Sequence, residues 1–249
     1  MRPEKPPDHP KTIQNNKNMK PLRNILTAAS LLLVPISVHA ENPVLNPGFE
    51  DDATTPVEWG ISAVANGAKA EIDSKEFHRG KLSLRLDQTS ALTLPTGAKD
   101  AESMAKILID NKAGGSVNAS QKIPVEEGES YDFSFWYKAS GLLPENFREP
   151  KKGYAHLMVW IYWQDNQNRR VEGDTADTSR WILNQGVDAP DWVEAMNKGY
   201  GSSQRLNGHP CVAPPGARFA NISFQLITNA PRVTPKVWID DVSFQKTGQ

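Results

Sequence analysis

The sequence predicts an all-β protein, an antiparallel β-sandwich. Three observations predict it. Apolar and polar residues alternate with period two in segment after segment. Glycine (17) and proline (19) are frequent enough to turn the chain between those segments, and the seven Trp favour strands. No helix-period segment longer than two turns stands out, so the strands follow one another without intervening helices, as in a sandwich.

The 249 residues allow one large β domain or two small ones, and 38% apolar with 23% charged residues fits a globular protein. A formal charge of −1 supplies no basic field for nucleic acid or an anionic membrane.

Residues 1–18 are polar, carry prolines at 3, 6, 7 and 10, and have no apolar period. MKPLRNILTAASLLLVPISVHA (19–40) then has the three parts of a secretory signal. Lys20 and Arg23 open it, an apolar run extends from Ile25 to Val38, and Val38-His39-Ala40 is a small-x-small cleavage site before Glu41. The apolar run is shorter than the roughly 20 residues that span a bilayer. Met19 is then the expected start, with 1–18 a mis-assigned or loose extension, and 41–249 a single exported domain, periplasmic or extracellular. Losing 1–40 removes six Lys or Arg and two Asp or Glu, taking the charge from −1 to −5. A lone cysteine, Cys211, excludes an internal disulfide, so stability must come from the core. Cys211 reads as a buried thiol in a loop.

In the mature chain, KLSLRLD (81–87) sets Leu82, Leu84 and Leu86 on one face. VNASQKIPV (117–125) alternates imperfectly up to a Pro. YDFSFWYK (131–138) sets Tyr131, Phe133, Phe135 and Tyr137 toward the core, which turns Trp136 outward. YAHLMVWIYW (154–163) splits into an aliphatic row, Ala155, Leu157, Val159, Ile161 and Trp163, and a second row of Tyr154, His156, Met158, Trp160 and Tyr162. ARFANISFQLIT (217–228) buries Ala220, Ile222, Phe224 and Leu226 and turns Asn221, Ser223 and Gln225 outward. VWIDDVSF (237–244) changes parity midway, which a bulge at Asp240-Asp241 would repair. The long stretch 165–216 reads as a decorated loop. Within it, APDWVEAMNK (189–198) has Asp191 and Glu194 at capping-box spacing and reads as a short helix.

Three pieces lie in one order: LNPGFEDD…VEWG (45–60), HRGKLSLRL (78–86) with QKIPVEEGESYDFSFWYKAS (121–140), and VAPPGARFANISFQL (212–226) with VWIDDVSF (237–244). Together they resemble carbohydrate-binding modules of families 4, 9 and 22, over nearly all of 43–246. The resemblance implies a β-jelly roll whose concave sheet binds a glycan, standing here without the catalytic domain that usually accompanies such modules. It also implies a structural Ca²⁺ held by Asp240, Glu50 and backbone near Gly80 and Lys81, with Asp241 as an alternate. Glu50 and Asp240 have a plainer reading as partners of Arg79 or caps of the chain ends.

An aromatic row with amides beside it suits a sugar. The C–H face of a pyranose stacks on rings and its hydroxyls need hydrogen-bonding partners. The expected ligand-binding set is Trp136, His156, Trp160, Tyr162, Asn221 and Gln225, with Gln121 a further amide. The expected partner is a glycan or polysaccharide bound by a monomer. Two other readings stay open: a jelly-roll polysaccharide lyase with His156 and Tyr162 as acid and base, and a cell-envelope structural protein whose loops cover the aromatic row.

Overall fold

A computed structural model describes residues 42–64, 68–88, 115–144, 153–171, 179–196, 211–228, 230 and 233–247, with the backbone alone over 179–185. The expected extension and signal, residues 1–40, lie outside them. Eleven strands run β1 (Gly60–Val64), β2 (Ala68–Asp73), β3 (Ser83–Gln88), β4 (Gly115–Pro124), β5 (Ser130–Ser140), β6 (Ala155–Gln164), β7 (Ser179–Gln185), β8 (Ala189–Met196), β9 (Cys211–Val212), β10 (Phe219–Thr228) and β11 (Lys236–Lys246). They form two antiparallel sheets, of order β1-β4-β10-β6-β7 and β2-β3-β11-β5-β8, with β9 joining β5 at its side. The fold is an antiparallel β-sandwich of jelly-roll type.

Period-two alternation puts every second residue between the sheets. The row Tyr131, Phe133, Phe135 and Tyr137 is buried, as are Ala220, Ile222, Phe224 and Leu226, and Leu157, Val159, Ile161 and Trp163. Across the core Phe224 meets Phe135 edge-on at 5.0 Å, and within the six-stranded sheet Tyr131 stacks on Phe244 at 4.8 Å. Each such ring contributes about 1.5–3 kcal/mol by leaving water.

The segment before β1 closes one end. Asn42 brackets β11, its amide donating to the Val242 carbonyl and its oxygen accepting from Phe244 N–H. Phe49 and Trp59 pack at 5.4 Å, and Trp59 reaches Phe224 at 5.6 Å. Gln121 turns inward, not toward solvent. Its oxygen accepts from Leu45 N–H, and its amide donates to the carbonyls of Leu45 and Glu58. Its amide is thus spent fastening this segment to β4 and is not a ligand group.

β11 has the expected bulge. Its register on β5 jumps from Asp240 opposite Trp136 to Ser243 opposite Ser134, and Asp241 sits at φ +47°. Val237, Ile239, Val242 and Phe244 all reach the core in consequence.

Two expectations need correction. The stretch 165–216 contains β7, β8 and β9, and no helix occurs among the described residues. APDWVEAM (189–196), most of the expected helix, forms β8 along β5, with Glu194 opposite Trp136 and Val193 opposite Tyr137; residues 197–198 lie outside the described residues. Unpaired N–H and C=O groups along the β5 edge require partners, and that demand outweighs a local capping pattern. Cys211 is buried as expected, but in β9 opposite Tyr131.

Candidate functional site

The outer face of the five-stranded sheet is built in rows across the strands. Ser62, Asn118, Gln225 and Met158 share one row. Gly60, Ser120, Ser223 and Trp160 share the next, and Lys122, Asn221 and Tyr162 the third. β6 supplies bulk to one side and β4 and β10 supply amides and hydroxyls to the other. The relief between them is a groove of about 400 Å³, lined by Ser62, Val64, Ser116, Asn118, Trp160, Tyr162, Arg170, Ser223 and Gln225.

The polar groups in the groove are differently engaged. The Ser223 hydroxyl donates to the Asn118 oxygen at 2.5 Å, which leaves the Asn118 amide N–H groups to point elsewhere. Gln225 makes no side-chain hydrogen bond among the described residues. Burial pushes the Tyr162 hydroxyl above its ordinary pKa, while the charge of Arg170 pulls it the other way. Arg170 returns to the sheet through a tight reversal. Asp165 accepts from Arg169 at 2.8 Å, Asn168 takes φ +63°, and Gln164 then bridges Arg170.

Of the residues expected to contact ligand, Trp160, Tyr162 and Gln225 line this groove. Asn221 lies on the same face, flanked in register by Tyr162 and Lys122, and its side-chain oxygen is buried without a hydrogen-bond partner among the described residues. His156 belongs to the same outward row, but the structure removes it from the groove. It is 8% exposed, its ring lies 5.1 Å from that of Tyr154, and a Cβ built on Gly186 would fall 2.7 Å from its Nε2. The chain at Gly186 therefore closes over this end of the face. Trp136 is on the opposite sheet. It stacks on His78 at 3.8 Å, with Trp192 5.8 Å from the same imidazole. Parity correctly turned Trp136 outward, but it could not say which sheet β5 joins.

Sequence reasoning missed Arg170, Asn118, Ser62 and Ser223 as groove residues. Asn118 and Ser223 had an available signal, because both fall on the outward parity of their strands. Ser62 and Arg170 had none, since a short exposed strand and a turn brought them there.

At the β11 bulge a second polar corner forms. Asp240 is 0% exposed, and its two oxygens accept the N–H groups of Asp241 (2.8 Å), His78 (2.8 Å) and Arg79 (3.1 Å). Burial pushes its carboxyl up to about 6 despite these bonds. Glu50 accepts the N–H groups of Lys81 (2.8 Å) and Leu82 (2.9 Å), so Lys81 meets it as a donor. Asp241 turns instead to His78 Nδ1 at 2.6 Å and to Arg79 at 3.9 Å. A Cβ on Gly48 would lie 3.6 Å from Asp240 Oδ1 and 3.7 Å from Glu50 Cγ, so both carboxylate side chains border one small space. Among the described residues no three His, Cys, Asp or Glu side chains gather closely enough to hold a metal alone. Two carboxylates with unused lone pairs suit a hard cation only if backbone oxygens complete its shell.

No protein-family model matches the sequence, and no curated protein matches it. Solved structures share the fold. The enzymatically active domain of tailspike protein 4 from bacteriophage CBA120 aligns at TM-score 0.50 and 16% identity, over 82% of this chain and 21% of its own, so this chain spans about a fifth of that one. A family 61 carbohydrate-binding module solved with β-1,4-galactotriose aligns at TM-score 0.44 and 14% identity, over 83% of this chain and 99% of its own. The family 22 xylan-binding domain of Paenibacillus barcinonensis aligns at TM-score 0.41 and 13% identity, covering 81% and 92%. Carbohydrate-binding modules of families 4, 22 and 61 are thus among the structural neighbours, and the likeness is one of fold.

Proposed function

We propose that this domain binds a glycan, without turning it over, in the groove on the five-stranded sheet. One observation carries the reading: Trp160 and Tyr162 line the same groove as Gln225, Asn118 and Ser223. A pyranose needs both kinds of surface at once, an aromatic face for its C–H groups and amides or hydroxyls for its own hydroxyls.

An acid–base pair of His156 and Tyr162 fits poorly. They are six residues apart on one strand, which is about 20 Å at the usual rise, and His156 is buried. Two groups so far apart cannot both reach one sugar carbon and its leaving oxygen.

The domain is proposed to act after export through the 19–40 segment. Sequencing the mature N-terminus tests this, with Glu41 the expected first residue. The proposal includes a structural Ca²⁺ between Asp240 and Glu50. Its support is a fully buried carboxylate, raised toward neutrality, with no ion pair to a Lys or Arg among the described residues. The ion would balance that charge and hold the β11 bulge against the 48–50 and 78–82 turns. Calcium should raise Tm in wild type and leave Asp240→Asn unmoved. An equal shift in both would dismiss the site.

For the glycan itself, affinity electrophoresis on a polysaccharide panel is the direct test. Wild type should be retarded by at least one polymer, Trp160→Ala and Tyr162→Ala should not, and Trp136→Ala should match wild type. Retardation lost through Trp136 alone would move the site to the other sheet.

A further inference from the structure

The groove has one formal charge among its described lining residues, and that charge is positive. Arg170 is exposed and lies close enough to Tyr162 to act on its hydroxyl. Among the described residues no Asp or Glu lines the groove with it. The other arginines among the described side chains are engaged. Arg85 reaches Asp73 at 2.9 Å, Arg169 reaches Asp165 at 2.7 Å, Arg218 reaches Glu127 at 3.4 Å, and Arg79 lies 3.9 Å from Asp241. Arg170 makes no ion pair or side-chain hydrogen bond among the described residues. Asp165, the described carboxylate in the turn before it, is taken by Arg169. The same end of the face carries a second cation, Lys122, which bonds to Asn168 and lies 3.7 Å from the centre of the Phe219 ring.

Resting on the glycan reading above, we infer that the groove takes an acidic glycan, with the carboxylate of a uronic acid residue seated against Arg170 while Tyr162 and Trp160 stack the sugar rings. A guanidinium presents parallel N–H donors that match the two oxygens of a carboxylate. A neutral hydroxyl uses one of them and leaves the charge uncompensated. The overall charge is slightly negative, so there is no long-range pull on a polyanion. Selection must come from this local contact, and for that reason it is sensitive to a single substitution.

The test compares polygalacturonate and alginate with their carboxyl-reduced, neutral counterparts by isothermal titration, using wild type, Arg170→Gln and Arg170→Lys. Arg170 has no side-chain partner among the described residues, so Tm should be unchanged in both variants, and thermal melts check that. Wild type should bind an acidic polymer at least tenfold more tightly than its reduced form, with affinity falling as salt rises. Arg170→Gln should bind the two forms alike, and Arg170→Lys should keep part of the preference. A sulfated galactan completes the panel. If it binds as well as the uronate, the carboxylate assignment is overturned. If reduced polymers bind as tightly as acidic ones, the acidic preference fails while glycan binding stands. Silence across every polymer, neutral and acidic, overturns the glycan reading itself.

Discussion

The two outer faces of this sandwich use their polar groups in opposite ways. On the six-stranded sheet Arg85 reaches Glu71 at 2.5 Å, Asp73 at 2.9 Å and Asp87 at 3.5 Å. The Trp238 indole donates to Asp73 at 3.0 Å, Lys138 pairs with Glu76 at 2.8 Å, and Trp136 stacks on His78. Burial alone would raise the Asp73 carboxyl. The Trp238 indole, the N–H groups of Lys75 and Glu76, and Arg85 together hold it below its ordinary value. Among the described residues of the five-stranded sheet, Gln225 and Arg170 have no such partners, and the charge of Arg170 acts on Tyr162. One face spends most of its charged groups on one another. The other leaves the Gln225 amide and the Arg170 guanidinium without a side-chain partner among the described residues. Aromatic exposure alone does not distinguish them, since both faces carry an outward Trp.

Substitutions can break this contrast, beginning with the largest effect. Arg85→Ala leaves Asp73 and Asp87, 7% and 2% exposed, without their cation. Removing one partner from a buried charge cluster costs about 3–5 kcal/mol, so Tm should fall by roughly 10 °C, with glycan affinity of the folded fraction unchanged. A binding loss beyond the unfolded fraction would mean that the faces are coupled.

The pH dependence at the β11 bulge comes next. Burial raises Asp240 from 3.8 to about 6, so the folded state holds its proton more tightly than the unfolded chain does. In EDTA that contribution is fully present below the unfolded value. It is lost as pH rises through about 6, on the order of 3 kcal/mol in denaturant titrations. With Ca²⁺ bound the carboxylate is the favoured form, and the loss should vanish. Stability rising between pH 4 and 6 in EDTA would contradict the assignment.

Tyr162→Ala should weaken glycan binding by roughly 30-fold, the effect of removing a ring at the centre of a site, and change stability by less than about 1 kcal/mol. Trp136→Ala should do the reverse on a smaller scale. It forfeits about 1 kcal/mol of ring stacking on His78, visible as a small drop in Tm, and leaves binding intact. If Trp136→Ala and Tyr162→Ala had the same signature, the two faces would not differ in kind.

Much of this contrast was legible before folding, and its limits have physical causes. Parity along YDFSFWYK, YAHLMVWIYW and ARFANISFQLIT separated inward from outward rows, because successive strand side chains point to opposite faces whatever the topology. Parity also located the β11 bulge. Expecting Gln121 as a ligand amide goes against that parity: it shares the inward row of Val117, Ala119 and Ile123 and is held there by bonds to a segment 63 to 76 residues earlier. The helix expected at 189–198 rested on a local cap, and a strand edge overruled it. His156 was placed on the correct row, but the approach of Gly186, which no pattern within β6 announces, removed it from the groove.

Sequence by itself determined the fold class, the core rows, the position of the bulge and the outward direction of Trp160, Tyr162 and Gln225. These follow from local periodicity and the hydrophobic sorting of alternate residues. Tertiary structure alone decided which sheet each strand joins, and so separated Trp136 from Trp160. It also decided which end of the aromatic row stays open, and that the turn after β6 carries Arg170 to it. Those outcomes depend on contacts between residues far apart in the chain, where neither spacing nor composition holds the information.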